Sequence, residues 1–231
     1  MKKWSRILFL YVPGILVTTI LIYFVALQPW FSRWGATDLE VFARIPGDLL
    51  VPDPSMESTR AITIDATAGD IWPWLIQIGK KRGGFYSYDW LENLFGCEIQ
   101  SASEIHSEWQ DLARGDTVHL GPEGYPFYLV AEVEPERLLV LIAGMSFADQ
   151  ATSSTWVFFL RPLQGDQTRL IVRNRTRYEP GVGSFLLWRC ITEPASFIME
   201  QKMLRGIRKR AEQYAREREI RQNSILVGKV R

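Results

Sequence analysis

The residues best suited to proton transfer lie in an aromatic segment in the first half of the chain. Asp89 and Glu92 are spaced as Asp-x-x-Glu, and two carboxylates so placed could act as a general acid and a general base. The same spacing in front of apolar residues is typical of a helix start, where both carboxylates accept hydrogen bonds from free backbone amides. We interpret the pair as helix caps, and we keep His119, Asp89 and Tyr178 as candidates for a catalytic group.

Other catalytic and metal-binding patterns are not found in the sequence. It has no nucleophile elbow, serine triad or cysteine-histidine pairing. Its two histidines, His106 and His119, follow no HExxH-type spacing, so we expect no metal and no cofactor. Residues 79–84 are glycine-rich and basic but lack the Gly-Lys-Ser/Thr ending of a phosphate loop. Cys97 and Cys190 form no CxxC motif, and we expect two small buried side chains rather than a disulfide.

Composition predicts one folded domain and an additional segment. The chain has 231 residues, of which 47% are hydrophobic, enough to bury a full core. The formal net charge is only +1, so the chain as a whole does not attract nucleic acid, and we expect no nucleic-acid partner. Protein partners are not indicated by any pattern in the sequence.

The additional segment is N-terminal. Residues 7–27 contain no charged side chain, and at ~1.5 Å rise per residue they can cross a hydrocarbon core ~30 Å thick. Trp30 and Trp34 follow where an interfacial aromatic belt belongs. A cleaved signal peptide is the alternative, but its apolar core is usually ~7–15 residues and residues 25–28 match a cleavage site weakly. We therefore expect a single-pass membrane anchor.

The distribution of basic residues predicts the orientation of this anchor. Basic residues precede the apolar stretch, at Lys2, Lys3 and Arg6. The positive-inside rule then places the N-terminus in the cytoplasm and the folded domain on the outer side. The resulting division is residues 1–34 as anchor, 35–57 as a proline-containing extended linker with a short helical turn at 38–44, 58–221 as the domain and 222–231 as a tail.

Residues 59–96 predict a strand followed by helices. Ile62 and Ile64 alternate with polar residues, which is the period of a half-buried strand. A helix follows, with Thr67 or residues 69–70 as its cap and Pro73 in its first turn, where proline removes no needed amide. Its apolar stripe consists of Ile71, Trp74, Leu75 and Ile78.

The rest of the chain alternates short strands with turns and closes with a long helix. Strand pairs are predicted at 125–133 with 137–143, and at 154–160 with 168–178. A capping-box pattern at 101–104 predicts a helix bearing Ile105, Trp109 and Leu112. The closing helix is predicted over 192–221, capped by Thr192, with a buried stripe of Met199, Met203, Leu204, Ile207, Ala211 and Tyr214. This order of elements predicts an antiparallel α+β domain.

Several of these segments together resemble a known superfamily. The strand near residue 62, the short helix with IWPWL, the aromatic helix with GGFYSYDWLENL and the closing helix with EPASFIMEQKMLRGIRKRAE resemble bacterial SRPBCC, or START-like, proteins over residues 58–220. The resemblance implies the helix-grip fold, in which a curved antiparallel sheet wraps a long C-terminal helix around an apolar cavity. It implies no single activity, because proteins of this superfamily include lipid carriers, receptors, cyclases and ring hydroxylases.

The last predicted strand has two different faces. Arg169, Arg173, Arg175 and Arg177 share one face with Ile171, and we expect these arginines to meet solvent. The opposite face carries Leu170, Val172, Asn174, Thr176 and Tyr178, and should line the concave side of the sheet.

Three hypotheses of function follow. The first is a membrane-tethered domain that binds a hydrophobic, lipid-like or polyketide-like small molecule. The second is a cyclase- or hydrolase-type enzyme on the same fold, which needs an ionisable group in the cavity with a shifted pKa. The third is a non-catalytic scaffold with a filled interior, whose function is contact with a membrane partner. For the first, which we prefer, the expected ligand-binding residues are Trp74, Tyr86, Tyr88, Trp90, Phe127, Val172, Asn174, Thr176, Tyr178, Met203, Leu204 and Ile207.

Overall fold

Six strands form one curved antiparallel sheet in the computed structural model, which describes residues 2–143 and 153–229. The spatial order is β1-β6-β5-β4-β3-β2. The strands are β1 Met56–Ile64, β2 Thr117–His119, β3 Phe127–Glu134, β4 Leu138–Ala143, β5 Ser154–Pro162 and β6 Thr168–Thr176. The first and last strands pair with each other, Arg60 lying opposite Val172, so the two long hairpins and β1 make one continuous surface. The prediction of an α+β domain with a helix-grip arrangement is confirmed.

Helices lie at both ends of the chain and between β1 and β2. They are α1 Lys2–Ile22, α2 Gln28–Ser32, α3 Asp38–Phe42, α4 Ala68–Ile76, α5 Asp89–Leu94, α6 Val182–Phe185 and α7 Glu193–Lys229. The π-helical segment Tyr23–Leu27 joins α1 to α2, and a second, Leu186–Thr192, joins α6 to α7. Single 3₁₀ turns occur at Asp48–Leu50 and Ser107–Trp109.

Helix α4 forms where the apolar period predicted it. Thr67 caps it: the Thr67 hydroxyl accepts from the Asp70 amide, and the Asp70 carboxyl accepts from the Thr67 amide. The predicted stripe is buried, with Ile71 and Leu75 fully enclosed. Capping thus fixes where the helix begins, and burial of the stripe fixes which face meets the sheet.

The main core lies between the concave face of the sheet and α7. Leu170 and Val172 from β6 meet Leu204 and Ile207 from α7, and all four are fully buried. The predicted α7 stripe is confirmed at Met203, Leu204, Ile207 and Ala211 but is wrong at Tyr214, which is 37% exposed. At this level of α7 it is the next residue, Ala215, that packs against the core.

Two predicted helix starts are wrong. No helix begins at Ser101, because its hydroxyl accepts from the Tyr86 amide and donates to Asp89, which leaves it unable to cap. Residues 101–112 contain only the 3₁₀ turn. Thr192 does not cap α7 either, because helical backbone runs into α7 from α6 through the π-helical segment, and α7 ends at Lys229 instead of residue 221. The aromatic segment is helical only over Asp89–Leu94.

The arginines of β6 correct another prediction. Arg173 is 2% exposed: its guanidinium donates to Asp48 at 2.8 Å and to Thr59 Oγ1 at 2.9 Å. Arg169 donates to both carboxyl oxygens of Glu40, at 2.9 and 2.8 Å. The expected solvent contact is therefore wrong for these two and for the mostly covered Arg175, while Arg177 is exposed. These arginines are covered because the carboxylates of Glu40 and Asp48, far earlier in the chain, pair with them.

Residues 38–50 supply these carboxylates and cover the convex face of the sheet. The short helical turn expected here is confirmed as α3, which begins with a Thr37–Glu40 capping box. Burial alone would raise the pKa of Glu40, but hydrogen bonds from Arg169 and from Thr37 outweigh it and lower this pKa to about 2. Residues 38–50, within the segment expected to be an extended linker, therefore form a layer of the fold.

The N-terminal apolar helix also connects rigidly to the sheet. The helix Pro13–Ser32 is long and apolar enough to cross a membrane. Near its end, the Phe31 carbonyl accepts a 2.8 Å hydrogen bond from Arg60 Nε, and just after it the Trp34 carbonyl accepts from the Ala61 amide at 3.1 Å. A Cβ on Gly35 would lie 2.2 Å from the Ala61 carbonyl oxygen, so only glycine permits this close approach. The apolar helix therefore has a fixed position relative to β1.

Candidate functional site

A cavity of about 270 Å³ lies between the concave face and the first turns of α7. Its walls are mainly apolar and aromatic, with a few polar groups, which is the usual composition of a small-molecule site. The lining residues are Phe85, Ser87, Glu92, Leu120, Tyr128, Trp156, Asn174, Ser196, Met199, Glu200 and Met203. The sheet contributes one wall, α7 the opposite wall, and the segment around α5 closes one side.

A second chamber of about 340 Å³ adjoins the first. The two share Leu120, Tyr128, Asn174 and Ser196 as lining residues. The second chamber extends along the ends of β1 and β6 towards Trp188, Thr192 and Glu193, where α6 leads into α7. A ligand longer than one chamber could therefore extend across the shared boundary and occupy both chambers.

A buried polar cluster forms part of the cavity wall. Glu200, 5% exposed, accepts hydrogen bonds from Trp156 Nε1 at 2.9 Å and from Asn174 Nδ2 at 2.8 Å, and it pairs with the fully buried Arg60. The Arg60 guanidinium also lies over the Phe197 ring, 5.5 Å from its centroid. These contacts join β1, β5 and β6 to α7 and satisfy the charge of Glu200.

Glu92 is the second carboxyl group at the cavity. The Ser87 hydroxyl donates to its Oε1, while its Oε2 is buried and accepts no hydrogen bond from the described residues. Burial raises the pKa of Glu92 by more than the Ser87 hydrogen bond lowers it, and the nearby Asp89 adds a smaller increase. Because Oε2 has no partner among the described residues and Glu92 lies on the cavity wall, this oxygen is the Glu92 atom placed to hydrogen-bond a ligand.

Tyr128 and Trp156 make the aromatic floor. Their ring centroids are 5.6 Å apart, and Phe85 lies 6.2 Å from Trp156 on the other side. Burial raises the pKa of Tyr128, and Glu200 raises it further, so its hydroxyl stays protonated. The floor offers flat apolar surface with neutral polar groups at its edge.

Four of the expected binding residues lie at the two chambers. Met203 lines the first chamber, Asn174 lines both, and Thr176 and Phe127 line the second. Contact of these four with a ligand stays a prediction.

Val172, Leu204 and Ile207 lie beside the chambers in the packed core, with no exposed surface. Trp74 and Tyr86 are also buried, edge to face, with centroids 5.9 Å apart. The Tyr86 hydroxyl accepts from Gln77 at 2.9 Å, and Arg210 lies over its ring at 4.6 Å. These five side chains lie in the packed interior and do not line either chamber.

Tyr88, Trp90 and Tyr178 lie outside both chambers. Tyr88 is partly covered by the Lys202 ammonium, 5.5 Å from its ring centroid, and Trp90 is 68% exposed. Tyr178 stacks on Trp188, with a centroid distance of 5.6 Å and an interplanar angle of 7°. Of this stacked pair, Trp188 lines the second chamber and Tyr178 does not.

None of the three candidate catalytic groups lines either chamber. His119 is exposed on β2, and Tyr178 is in the stacked pair. Asp89 accepts from the Ser101 amide at 2.8 Å and from the Ser101 hydroxyl at 2.6 Å. The helix-cap interpretation of Asp89 and Glu92 is wrong as well, because Asp89 holds a distant loop and Glu92 bonds to a hydroxyl.

Sequence reasoning missed Arg60, Glu200 and, as a cavity group, Glu92. A signal was present for the first two: Arg60 falls on the same strand face as Ile62 and Ile64, and Glu200 falls on the α7 stripe beside Met203. Opposite charges at two positions predicted to be buried indicate a buried pair, since lone buried charges are rare.

Metal and disulfide chemistry are not indicated at this site. Within residues 2–143 and 153–229, no group of three or more histidine, cysteine or acidic side chains is placed to hold a metal ion. Both cysteines are free; Cys97 is partly buried, and Cys190 is exposed, so its predicted burial is wrong. The polar side chains that line the cavity are carboxyl, hydroxyl and amide groups.

Comparison with known proteins adds a coarse similarity of fold. No protein-family model matches the chain, and no curated protein matches it.

Among solved structures, protein MLL2253 from Mesorhizobium loti is 13% identical, with a TM-score of 0.43 over 68% of this chain and 98% of that one. CalU16 from Micromonospora echinospora is 17% identical, with a TM-score of 0.31 over 69% and 85%. DynU16, from the dynemicin biosynthetic locus, is 15% identical, with a TM-score of 0.40 over 66% and 47%. All three TM-scores are below 0.5, so the site is inferred from the geometry of this chain alone.

Proposed function

We propose that this chain is a membrane-anchored protein that binds a hydrophobic small molecule, lipid-like or polyketide-like, between its sheet and α7. The single observation that carries the proposal is the cavity of about 270 Å³ with its aromatic floor and its continuation into a second chamber. Such a space, largely apolar and formed by rigid elements, is suited to retain an apolar ligand. A scaffold hypothesis would be favoured by a filled interior instead.

The distribution of polar groups narrows the ligand class. Five polar residues border a space whose other lining residues are aromatic or aliphatic: Ser87, Glu92, Asn174, Ser196 and Glu200. A neutral polar group, such as a carbonyl or a hydroxyl, suits this lining, whereas a ligand anion would lie beside the two carboxyl groups of Glu92 and Glu200. The ligand is therefore an apolar molecule with one neutral polar end.

The membrane part of the proposal is supported by the N-terminal helix. Its apolar portion, Pro13–Ser32, has a mean hydropathy of 1.8, and its residues 13–22 are all exposed. Exposed apolar helix of this length is unfavourable in water and favourable in lipid. Basic residues before it favour a cytoplasmic N-terminus and a domain on the outer side.

Native mass spectrometry of the full chain in mild detergent, followed by organic extraction, tests the proposal. We expect a bound hydrophobic molecule at one per chain. The full chain is needed because residues 31–50 form part of the fold. An empty protein that also fails to bind added fatty acids, isoprenoids and aromatic polyketides would overturn the proposal.

One observation favours a catalytic variant of this function. Glu92 combines an unpartnered carboxyl oxygen, a raised pKa and a position on the cavity wall, which together suit a general acid. An extracted ligand would be returned to empty protein and followed by mass spectrometry for a change in its mass. Conversion by the wild type and retention without conversion by Glu92→Gln would establish the enzyme; unchanged ligand in both would establish the carrier.

A further inference from the structure

Residues 180–192 form a surface segment that the described part of the fold leaves largely exposed. Residues 180–188 contain no charged side chain, and the large apolar side chains of the segment are strongly exposed. Their exposed fractions are 78% for Val182, 43% for Phe185, 51% for Leu186, 51% for Leu187 and 63% for Ile191. Contiguous apolar exposure of this kind marks a contact surface.

This segment packs along the N-terminal apolar helix. The Phe24 and Phe185 rings are stacked, with centroids 5.6 Å apart, and the Tyr23 hydroxyl donates to the Arg189 carbonyl. Gln28 donates to Glu193 at 3.0 Å, which holds the start of α7 at the same place. The two elements are therefore parts of one surface and face the same surroundings.

The depth of this contact indicates what those surroundings are. Phe24 lies roughly 12 Å before Ser32 along the helix, at ~1.5 Å rise per residue. If Pro13–Ser32 crosses a bilayer, Phe185 lies at the level of the hydrocarbon and not outside it. A segment of residues 180–192 reaches at most ~20 Å as a helix, too short to cross a core of ~30 Å, so it can only enter one leaflet.

The backbone and flanks of the segment suit such a position. Residues 182–192 are helical, so most backbone groups are satisfied internally, as lipid contact requires. The stacked pair of Tyr178 and Trp188 lies at its base, where aromatic residues favour the interface between lipid and water.

We propose that residues 180–192 are a membrane wedge that inserts into the outer leaflet beside the N-terminal helix. This inference rests on the proposed membrane anchorage and deepens it. Because Trp188, Thr192 and Glu193 line the second chamber, the wedge brings the wall of that chamber to the bilayer surface. A molecule dissolved in the leaflet can then reach the cavity without crossing water.

Quenching by lipids in nanodiscs tests the wedge. The full chain, with Cys97→Ser and Cys190→Ser, receives one cysteine at a time, labelled with the fluorophore NBD. The positions are Leu187→Cys in the wedge, Val17→Cys in the anchor, and Leu163→Cys in the β5–β6 hairpin. Leu163 is a matched control because it is exposed and apolar, yet lies at the opposite end of β6, ~30 Å away at ~3.3 Å per residue. The nanodiscs contain phosphatidylcholine with or without a nitroxide at carbon 5 or 12 of the chain.

We expect strong quenching and blue-shifted emission at Leu187 and Val17, and neither change at Leu163. Quenching at Val17 without quenching at Leu187 would overturn the wedge and leave the anchor intact. Protection of the Leu187 position by a protein partner in the absence of lipid would have the same two consequences. Quenching at Leu187 without quenching at Val17 would support the wedge and overturn the anchor. Absence of quenching at both positions would overturn both.

Discussion

Asn174 Nδ2 on β6 donates a 2.8 Å hydrogen bond to Glu200 Oε1 on α7, across the wall of the cavity. Trp156 donates to the same oxygen, and Arg60 pairs with the other. A single carboxylate on the helix thus receives hydrogen bonds from three strands. Because desolvated charges must be compensated within the protein, this cluster fixes how α7 lies over the sheet and hence how wide the cavity is.

Replacement of Glu200 by Leu should destabilise the fold by about 3–5 kcal/mol, because it leaves the Arg60 charge buried without a partner. Arg60→Met combined with Glu200→Leu should recover a large part of that loss, since the uncompensated charge is then gone. Denaturant titration of the four proteins in one detergent, followed by tryptophan fluorescence, measures the coupling. If the losses in the free energy of unfolding of the two single variants simply add in the double variant, the two residues are not energetically coupled.

Much of the fold could be predicted from local periodicity. Alternation with period 2 located β1, β5 and β6, and the period of 3.6 located the buried face of α4 and of α7 at Leu204 and Ile207. These two periodicities are informative because the apolar face of a strand or helix is determined by the local sequence of that element. The start of α7 could not be found in this way, since continuity with α6 depends on packing against Tyr23 and Phe24.

The candidate site could be predicted only in part, because its polar groups depend on contacts between distant segments. The face carrying Asn174 and Thr176 was found from strand alternation, and both residues line a chamber. The opposite face carried arginines whose burial was not foreseen, since Glu40 and Asp48 are far away in sequence. Charge on a strand indicates solvent only where no other segment supplies a counter-charge.

Glu40→Gln should make the protein less stable above pH 4.5 and less sensitive to acid. The folded state lowers the Glu40 pKa from 4.5 to about 2, so its contribution is present above 4.5 and lost as the pH falls through about 2. At neutral pH the loss should be roughly 3 kcal/mol, at about 1.4 kcal/mol per pKa unit. Chemical denaturation at several pH values measures the difference between wild type and variant. A difference that does not shrink between pH 4.5 and 2 would contradict the assignment.

The effect of Glu92→Gln on stability should depend on pH in the opposite sense to that of Glu40→Gln. The pKa of Glu92 is raised in the folded state by burial, so the folded protein retains a proton that the unfolded chain releases above about pH 4.5. Stability of the wild type therefore falls as the pH rises from 4.5 towards the folded pKa. The variant should be the more stable protein at neutral pH and equal to the wild type at pH 4 and below. Thermal unfolding at both pH values distinguishes this from a pH-independent packing effect.

Met199→Trp should abolish retention of the co-purifying molecule while the protein still folds. Met199 lines the first chamber, and the larger indole fills space that the ligand would occupy. Ile198→Trp is the matched control, since Ile198 is its neighbour on α7 but is 48% exposed and faces away. Extraction and mass spectrometry give the ligand occupancy, and circular dichroism verifies the fold. Equal occupancy in the two variants would place the ligand outside this chamber.

Gly206→Ala should destabilise the protein, although alanine favours helices over glycine by up to ~1 kcal/mol. A Cβ at Gly206 would lie 2.3 Å from the Tyr86 carbonyl oxygen and 2.9 Å from the Tyr86 Cβ. Tyr86 cannot move aside easily, because its backbone has a positive φ of 58° and its amide, hydroxyl and ring are all held by partners. Gly183→Ala, in a helix with nothing within 4 Å of the new Cβ, should be neutral or stabilising. The denaturation midpoints of both variants measure these effects. A stabilising Gly206→Ala would mean that α7 does not approach the aromatic segment this closely. The cavity wall formed by Phe85 and Ser87 would then have to lie farther from the helix.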